Sequence, residues 1–353
     1  MTKEKVKYII VGQGLVGTWL SYYLYQQKIA FKVIHDPTLP VATKAASGVI
    51  NPVTGRRIVQ TWLIEDILPF AVRAYQQMEN ELGIPLIQEA PVILLHPSAQ
   101  MKESFEYRLS HENVFLAENN LENWNTYFAT PFGTGKINSC YWMDLNGMLT
   151  GWNTILKKEQ FMIESHFDMK DLKHSNHGVE WKNLTADYII FCDGISSMKN
   201  PYFKALPFAP NKGEALIVSI PGLPKQHIYK NTISVVPWKK DLFWVGSNYE
   251  WHYDNVNPSP AFREKMIAAL DSFLQIPYEV VDHITGIRPA NTERRPFVGM
   301  HPSYPSLGIC NGMGTKGCSL APYFTHQLVA HLEKGLALHP EADIQRFVSL
   351  LQH

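Results

Sequence analysis

No apolar stretch of this 353-residue chain is long enough to span a bilayer, and Met1 to Lys7 do not read as a secretory leader. Net charge is also missing: Lys plus Arg equals Asp plus Glu at 32 each, so no overall field draws nucleic acid or anionic lipid. A local basic patch stays allowed. Cysteine is scarce. The four present (Cys140, Cys192, Cys310, Cys318) show neither C-x-x-C nor Cys/His zinc spacing, so reduced thiols in a cytoplasm are expected. The 14 histidines are scattered, without H-x-x-x-H or H-E-x-x-H, and no metal site is expected. Tandem repeats and low-complexity tracts are absent as well. What remains is a 45% hydrophobic chain, long enough for a large core and two domains.

The strongest positive signal comes first. The apolar run Tyr8-Ile9-Ile10-Val11 leads into Gly12-Gln13-Gly14-Leu15-Val16-Gly17, and Thr18 to Gln27 then reads as a helix. In a strand–turn–helix of this kind Gly12 permits the tight turn, Gly14 lets backbone approach a pyrophosphate, and Gly17 allows close helix–strand packing. The helix start offers free N–H groups and a positive dipole end to phosphate oxygens. A glycine-rich turn without a ligand is the plainer alternative. Ala30 to Asp36 reads as a second parallel strand, whose end should carry the acid that binds ribose hydroxyls. Gap-free counting puts His35 at that position and Asp36 one beyond; Asp36 is the favoured acid, with a turn role before Pro37 as the alternative.

Ala45 to Arg57 is small and turn-rich, containing Ala46-Ser47-Gly48, Asn51-Pro52 and the pair Arg56 and Arg57. Small residues let backbone approach a flat ring, and arginines pair with phosphate or carboxylate unless simply solvated. Thr61 to Leu82 reads as a helix stopped by Gly83. The stretch from Leu86 to Tyr141 mixes strand-like and helical runs and is assigned to a second domain. Within it Pro131 to Ile137 imitates a phosphate loop but lacks the full spacing, so a turn is expected. A helix through Lys158 and a buried strand, Asp187 to Phe191, ending in Asp193-Gly194, return to the first domain. Three strands follow, Glu214–Ile220, Ile233–Pro237 and Leu242–Ser247, then an amphipathic helix from Ala261 to Leu274.

Near the end, Gly286-Ile287-Arg288-Pro289 precedes Pro296-Phe297-Val298-Gly299. The strand Leu307–Cys310 then enters a second glycine turn, Gly312-Met313-Gly314-Thr315-Lys316-Gly317-Cys318, and a helix to about Lys334. Glycine turns at both ends suggest one cofactor held between remote segments.

The two glycine turns, Ala46-Ser47-Gly48, Gly213-Glu214, Pro237 with Val245-Gly246, Gly286-Ile287-Arg288-Pro289, and Pro296-x-x-Gly299 fall in the order of one family. The chain resembles the D-amino-acid-oxidase-like FAD oxidoreductases, which include glycine and sarcosine oxidases. The match is poor only from about Pro85 to Tyr141. The Ala45-to-Pro52 segment and Gly312-to-Pro322 look closest to the oxidase half of the bacterial enzyme that trims carboxymethyl-aminomethyl uridine in tRNA.

This resemblance implies FAD and hydride transfer from an amine-bearing carbon to flavin N5, chemistry that needs no triad or carboxylate pair. It implies that Arg288 grips a substrate carboxylate, its planar fork making parallel charge-assisted bonds, with a structural salt bridge as the alternative. Lys316 would lie near the flavin and stabilise its reduced form or an oxygen intermediate, unless it is a solvated turn lysine. The family's strand tyrosine is replaced by Ser234; Tyr229 or Lys230 would compensate, with Trp238 as a pocket wall and Asn51 a further substrate contact. The cysteines match no attachment point, so FAD is expected to be held non-covalently.

The expected architecture is α/β. A doubly wound, Rossmann-like FAD-binding domain would comprise residues 1–82, 146–204 and 285–353. A mixed, mainly antiparallel substrate domain would comprise 83–145 and 205–284. The expected function is oxidation of a C–N bond in a carboxylate-bearing amine or amino acid, by an oxidase or a dehydrogenase. A tRNA-modifying flavoprotein, a flavin-binding protein without turnover and an NAD enzyme are the alternatives. Neutral charge argues against tRNA.

Overall fold

The computed structural model describes residues 3–55, 58–111, 114–119 and 123–352. Two sheets organise them. In the first, five parallel strands lie side by side in the order Met162–Glu164, Phe31–His35, Glu4–Val11, Leu184–Phe191 and Leu307–Asn311. In chain order that is third, second, first, fourth, fifth, a doubly wound topology with its switch point beside Glu4–Val11. We call Glu4–Val11 β1, Leu15–Gln26 α1 and Phe31–His35 β2. Both faces of β1 are covered, which is why Ile9, Ile10 and Val11 are consecutively buried rather than alternating. α1 sits under the later helices Leu145–Lys158 and Gly317–Lys334. Even its polar Thr18 and Ser21 are buried, and Trp152 Nε1 donates to Ser21 Oγ at 2.8 Å.

The second sheet has eight strands in the order Glu279–Arg288, Asn211–Ser219, Leu242–Gly246, Ser234–Pro237, Ile228–Lys230, Val92–Leu95, Thr134–Ile137 and Leu116–Glu118. Every neighbouring pair is antiparallel except Ile228–Lys230 with Val92–Leu95. Thr134–Ile137, entered from a turn at Gly133, is therefore a ladder strand. The strand Glu279–Arg288 pairs along its length with Asn211–Ser219, so the chain leaves this sheet after Arg288 and not at residue 285.

Strict alternation gives this sheet two unlike faces. Leu216, Val218, Tyr229, Val235 and Val245 pack with Phe262, Met266 and Leu270 of the helix Pro260–Asp271. Ala215, Ile228, Val236 and Trp244 point the opposite way, toward the first sheet. No helix among the described residues is long and apolar enough to cross a membrane.

Candidate active site between the two sheets

A cavity of about 1460 Å³ lies between the C-terminal ends of the parallel strands and the inner face of the second sheet. That exceeds the several hundred cubic ångströms of most small-ligand sites and has room for a dinucleotide with a small molecule beside it.

The first glycine turn forms one end. Gly12 has φ +98°, and a Cβ there would meet the Cys192 carbonyl oxygen at 2.8 Å, because β1 and Leu184–Phe191 run side by side into the cavity. A Cβ on Gly17 would overlap the Gly12 carbonyl oxygen, so the helix can start this close to the strand only with glycine. Gly14, by contrast, has room for a side chain. A Cβ there would have no atom nearer than 3.8 Å, and the residue caps α1 without a side-chain bond. Gly14, Leu15 and Val16 line the cavity, leaving a helix N-terminus aimed into it. Thr43 Oγ1 accepts from the Leu15 N–H at 3.2 Å.

His35, the last residue of β2, and Asp36 just past it also line the cavity. The Asp36 carboxylate is already engaged. Oδ1 accepts from the Thr38 N–H at 2.9 Å and its hydroxyl at 2.6 Å, and Oδ2 lies 3.0 Å from His166 Nδ1. These bonds, those from Thr38 foremost, hold the carboxyl below its usual range. Burial lowers the His35 imidazole pKa. Asp193 and Gly194 line the cavity from the neighbouring strand end. Burial pushes the Asp193 carboxyl up to about 6, while Ser197 Oγ donates to it. Asn311 Nδ2 donates to the Gly194 carbonyl at 2.8 Å, tying the fourth and fifth parallel strands together.

The second glycine turn meets the first. A Cβ on Gly317 would lie 3.1 Å from Leu15 Cδ2, so the starts of both helices face the cavity from adjacent positions. Met313, Gly314, Thr315, Lys316, Gly317 and Cys318 line it. Among the described residues Lys316 Nζ reaches only Thr61 Oγ1, at 3.4 Å. Burial, and then the charge of Lys230, pulls its pKa down to about 8. Ala46, Ser47, Gly48 and Asn51 form a further wall, which Trp244 braces by donating from Nε1 to the Ala45 carbonyl at 3.1 Å.

Arg288 closes the far end. Nη1 donates to Asn211 Oδ1 at 2.7 Å and to the Asn248 carbonyl at 3.1 Å, and Nη2 donates to Ser247 Oγ at 2.9 Å. Tyr249 stacks against the guanidinium, with the ring centroid 4.8 Å from Cζ. Among the described residues it makes no ion pair with a carboxylate. Neutral partners therefore aim a positive charge into the cavity without cancelling it, which does not fit the structural salt-bridge alternative.

A family model described as FAD dependent oxidoreductase (DAO) matches residues 7–332. The chain belongs to this family. Among solved structures it is similar to glycine oxidase from Geobacillus kaustophilus, at 17% identity and TM-score 0.78 over 96% of this chain and 98% of that one. It is similar to iminodiacetate oxidase from a Chelativorans species, at 16% identity and TM-score 0.77 over 97% and 98%. It is also similar to L-alpha-glycerophosphate oxidase from Mycoplasma pneumoniae, solved with FAD bound, at 15% identity and TM-score 0.74 over 96% and 97%. At these identities the likeness carries the fold.

As a DAO-family member the protein is an FAD-dependent oxidoreductase, and the residues present fit that cofactor: an open glycine cradle at a helix start, a second such start beside it, and a cavity of sufficient size. Four of the expected site residues lie elsewhere. Gly17 and Gly312 stand behind the two turns rather than in the wall; a Cβ on Gly312 would lie 2.9 Å from Asn291 Nδ2. Tyr229 is a correction. It has the opposite parity to Ile228 and Lys230, so its ring is fully buried against Trp124 and Phe128, and its hydroxyl donates to the Pro224 carbonyl at 2.7 Å. Trp238 is the second correction: it lies past the end of its strand, packed on the core and outside the cavity wall. Trp244, two residues before Gly246 on the inner face, is the tryptophan of the wall. Period-two counting back from Gly246 finds it. Arg56 and Arg57 lie outside the described residues. Asn211, Ser247 and Tyr249 were not identified in the sequence, because nothing local marks a residue whose task is to hold an arginine from another strand.

Proposed function

We propose that this protein oxidises the C–N bond of a small amine or amino acid that carries a carboxylate, with Arg288 binding the carboxylate and non-covalent FAD as the oxidant. The observation that carries this reading is the Arg288 guanidinium, held by Asn211, Ser247 and the Asn248 carbonyl inside the cavity, with no carboxylate partner among the described residues. A planar cation held in this way binds and orients a carboxylate through two parallel bonds. Bound FAD would supply the hydride acceptor, and the resulting imine would be hydrolysed by water.

The chain's own residues do the rest. Gly14 and Val16 would meet the pyrophosphate with backbone N–H groups, Leu15 after exchanging its bond to Thr43, and Ala46 to Gly48 would admit a flat ring without side-chain obstruction. His35 or Asp36 would approach the ribose, Asp36 after exchanging a bond now made to Thr38 or His166. Lys316 would hold positive charge at the seam between cofactor and substrate. All four cysteines are buried thiols with raised pKa values, Cys318 at about 12, which favours contacts over a covalent link.

The test is the visible spectrum of the purified protein, followed by anaerobic addition of glycine, N-methylglycine and D-amino acids. Flavin bands that bleach with one of them, and fail to bleach in Arg288→Ala while FAD content is unchanged, support the reading. Failure to bind FAD at all, even after reconstitution, overturns it. Acid precipitation that leaves the flavin on the protein pellet overturns the non-covalent assignment.

A further inference from the structure

Besides Arg288, two lysines of the cavity lining have no carboxylate partner among the described residues. Lys230 projects from the inner face of the second sheet, in register with Ser234, and exposes its side chain into the cavity. It has no hydrogen bond or ion pair among the described residues. Lys316 faces the same space from the second glycine turn, hydrogen-bonded among the described residues only to Thr61. Its thiol neighbours Cys140 and Cys318 are each pushed up to about 12 and stay neutral, so neither supplies a counter-charge. Burial lowers the pKa of both lysines, and the charge of Lys230 adds to the shift at Lys316. Lys230 is exposed to the water of the open cavity, so its ammonium is free to pair with an anion that enters.

The sheet register measures how far this charge lies from Arg288. Lys230 pairs with Ser234, Ser234 with Gly246, and Gly246 with Ala215. Three steps of ~4.8 Å put the Lys230 backbone ~14 Å from the strand Asn211–Ser219, over whose Gly213 the Arg288 guanidinium lies. The lysine stem leaves a gap on the order of 10 Å between the two cationic groups. Along that row the floor carries nothing larger than Ser234, since the other positions are Gly246 and Ala215. A carboxylate on Arg288 cannot also neutralise Lys230. A molecule with two carboxylates a few bonds apart, and the amine between them, spans the gap.

We propose that Lys230 is a specificity-determining residue that binds a second carboxylate, so that the substrate class is an amine dicarboxylate held between Arg288 and Lys230. This rests on the amine-oxidising reading above. Lys316, on the opposite wall, adds its field to the second site.

The test compares the holoenzyme with Lys230→Met and the charge-keeping Lys230→Arg, using iminodiacetate, N-methylglycine and the unreactive dianion glutarate. Expected for Lys230→Met is a loss of about 100-fold in kcat/KM on iminodiacetate, mainly through KM, with less than about threefold change on N-methylglycine. Lys230→Arg should recover most of that loss. Glutarate binding, read from its perturbation of the flavin bands, should weaken about tenfold or more in Lys230→Met and little in Lys230→Arg. Equal losses on both amines, or unchanged glutarate binding, overturn the second site while leaving amine oxidation standing. If neither these two amines nor glycine nor any D-amino acid reduces the wild-type flavin, the amine reading fails, and the glutarate comparison alone then upholds or overturns the dianion pocket. Unchanged flavin content and melting temperature in both variants exclude misfolding as the cause.

Discussion

The Arg288 guanidinium occupies the space that a side chain on Gly213 would need: a Cβ there would overlap Nη1, Nη2 and Cζ. The two residues lie on neighbouring antiparallel strands, where Gly213 pairs with Gly286 and Asn211 with Arg288. Arg288 thus leans inward across a bare stretch of backbone toward the middle of the sheet. Gly213→Ala should expel the guanidinium from its Asn211 and Ser247 bonds. We expect kcat/KM for a carboxylate-bearing amine to fall about 100-fold, or ~2.7 kcal/mol, mainly through KM, with FAD content unchanged. Kinetics with the amine that reduces the wild-type flavin, and a flavin spectrum of each preparation, check this.

Gly17→Ala addresses the other end. Its Cβ would overlap the Gly12 carbonyl oxygen, so α1 must move away from β1 and with it the N–H groups at the helix start. FAD affinity should drop by about tenfold or more, measured as the Kd for reconstitution of the flavin-stripped protein. Gly14→Ala, with no atom within 3.8 Å of the added methyl in the protein itself, should fold normally and weaken only FAD binding.

Tyr229→Phe should leave turnover unchanged. The hydroxyl donates to the Pro224 carbonyl on the helix-facing side of the sheet, away from the cavity. Its loss should cost about 1 kcal/mol of stability, seen as a lower melting temperature, with kcat and KM unaltered. A changed KM would return Tyr229 to the substrate site.

Lys316 makes a pH prediction with a definite sign. With its pKa drawn down to about 8, it is cationic below that value and neutral above it. The groups facing it are Lys230, Cys140 and Cys318, of which only Lys230 carries charge near neutrality. If its charge assists an anionic substrate, kcat/KM falls by up to about tenfold per pH unit above pH about 8. Lys316→Arg should stay charged and hold the plateau to higher pH. The wild-type-to-variant ratio across pH 6–10, roughly, isolates this residue, since titration of the substrate amine is common to both.

Local signals carried much of the fold. Strand, glycine turn and helix start at both ends of the chain are short-range patterns: consecutive apolar residues for a strand buried on both faces, then glycine where backbone must turn or approach. They were legible at Tyr8 to Gly17 and again at Leu307 to Gly317. So were the helices Ile64–Leu82 and Leu145–Lys158, through their periodicity and stops.

What the sequence determined by itself, then, is which segments turn and which bury; a carboxylate role for Arg288 came only as an implication of the family resemblance. The tertiary structure decided which side chains share the cavity. Parity on a strand is relative, and only pairing with neighbours shows that Lys230 and Ser234 face inward while Tyr229 faces the helix. The hold on Arg288 likewise comes from residues 40 to 77 positions away in the chain. Such contacts follow from strand register, a long-range property set by how two sheets pack and not by any local run of residues.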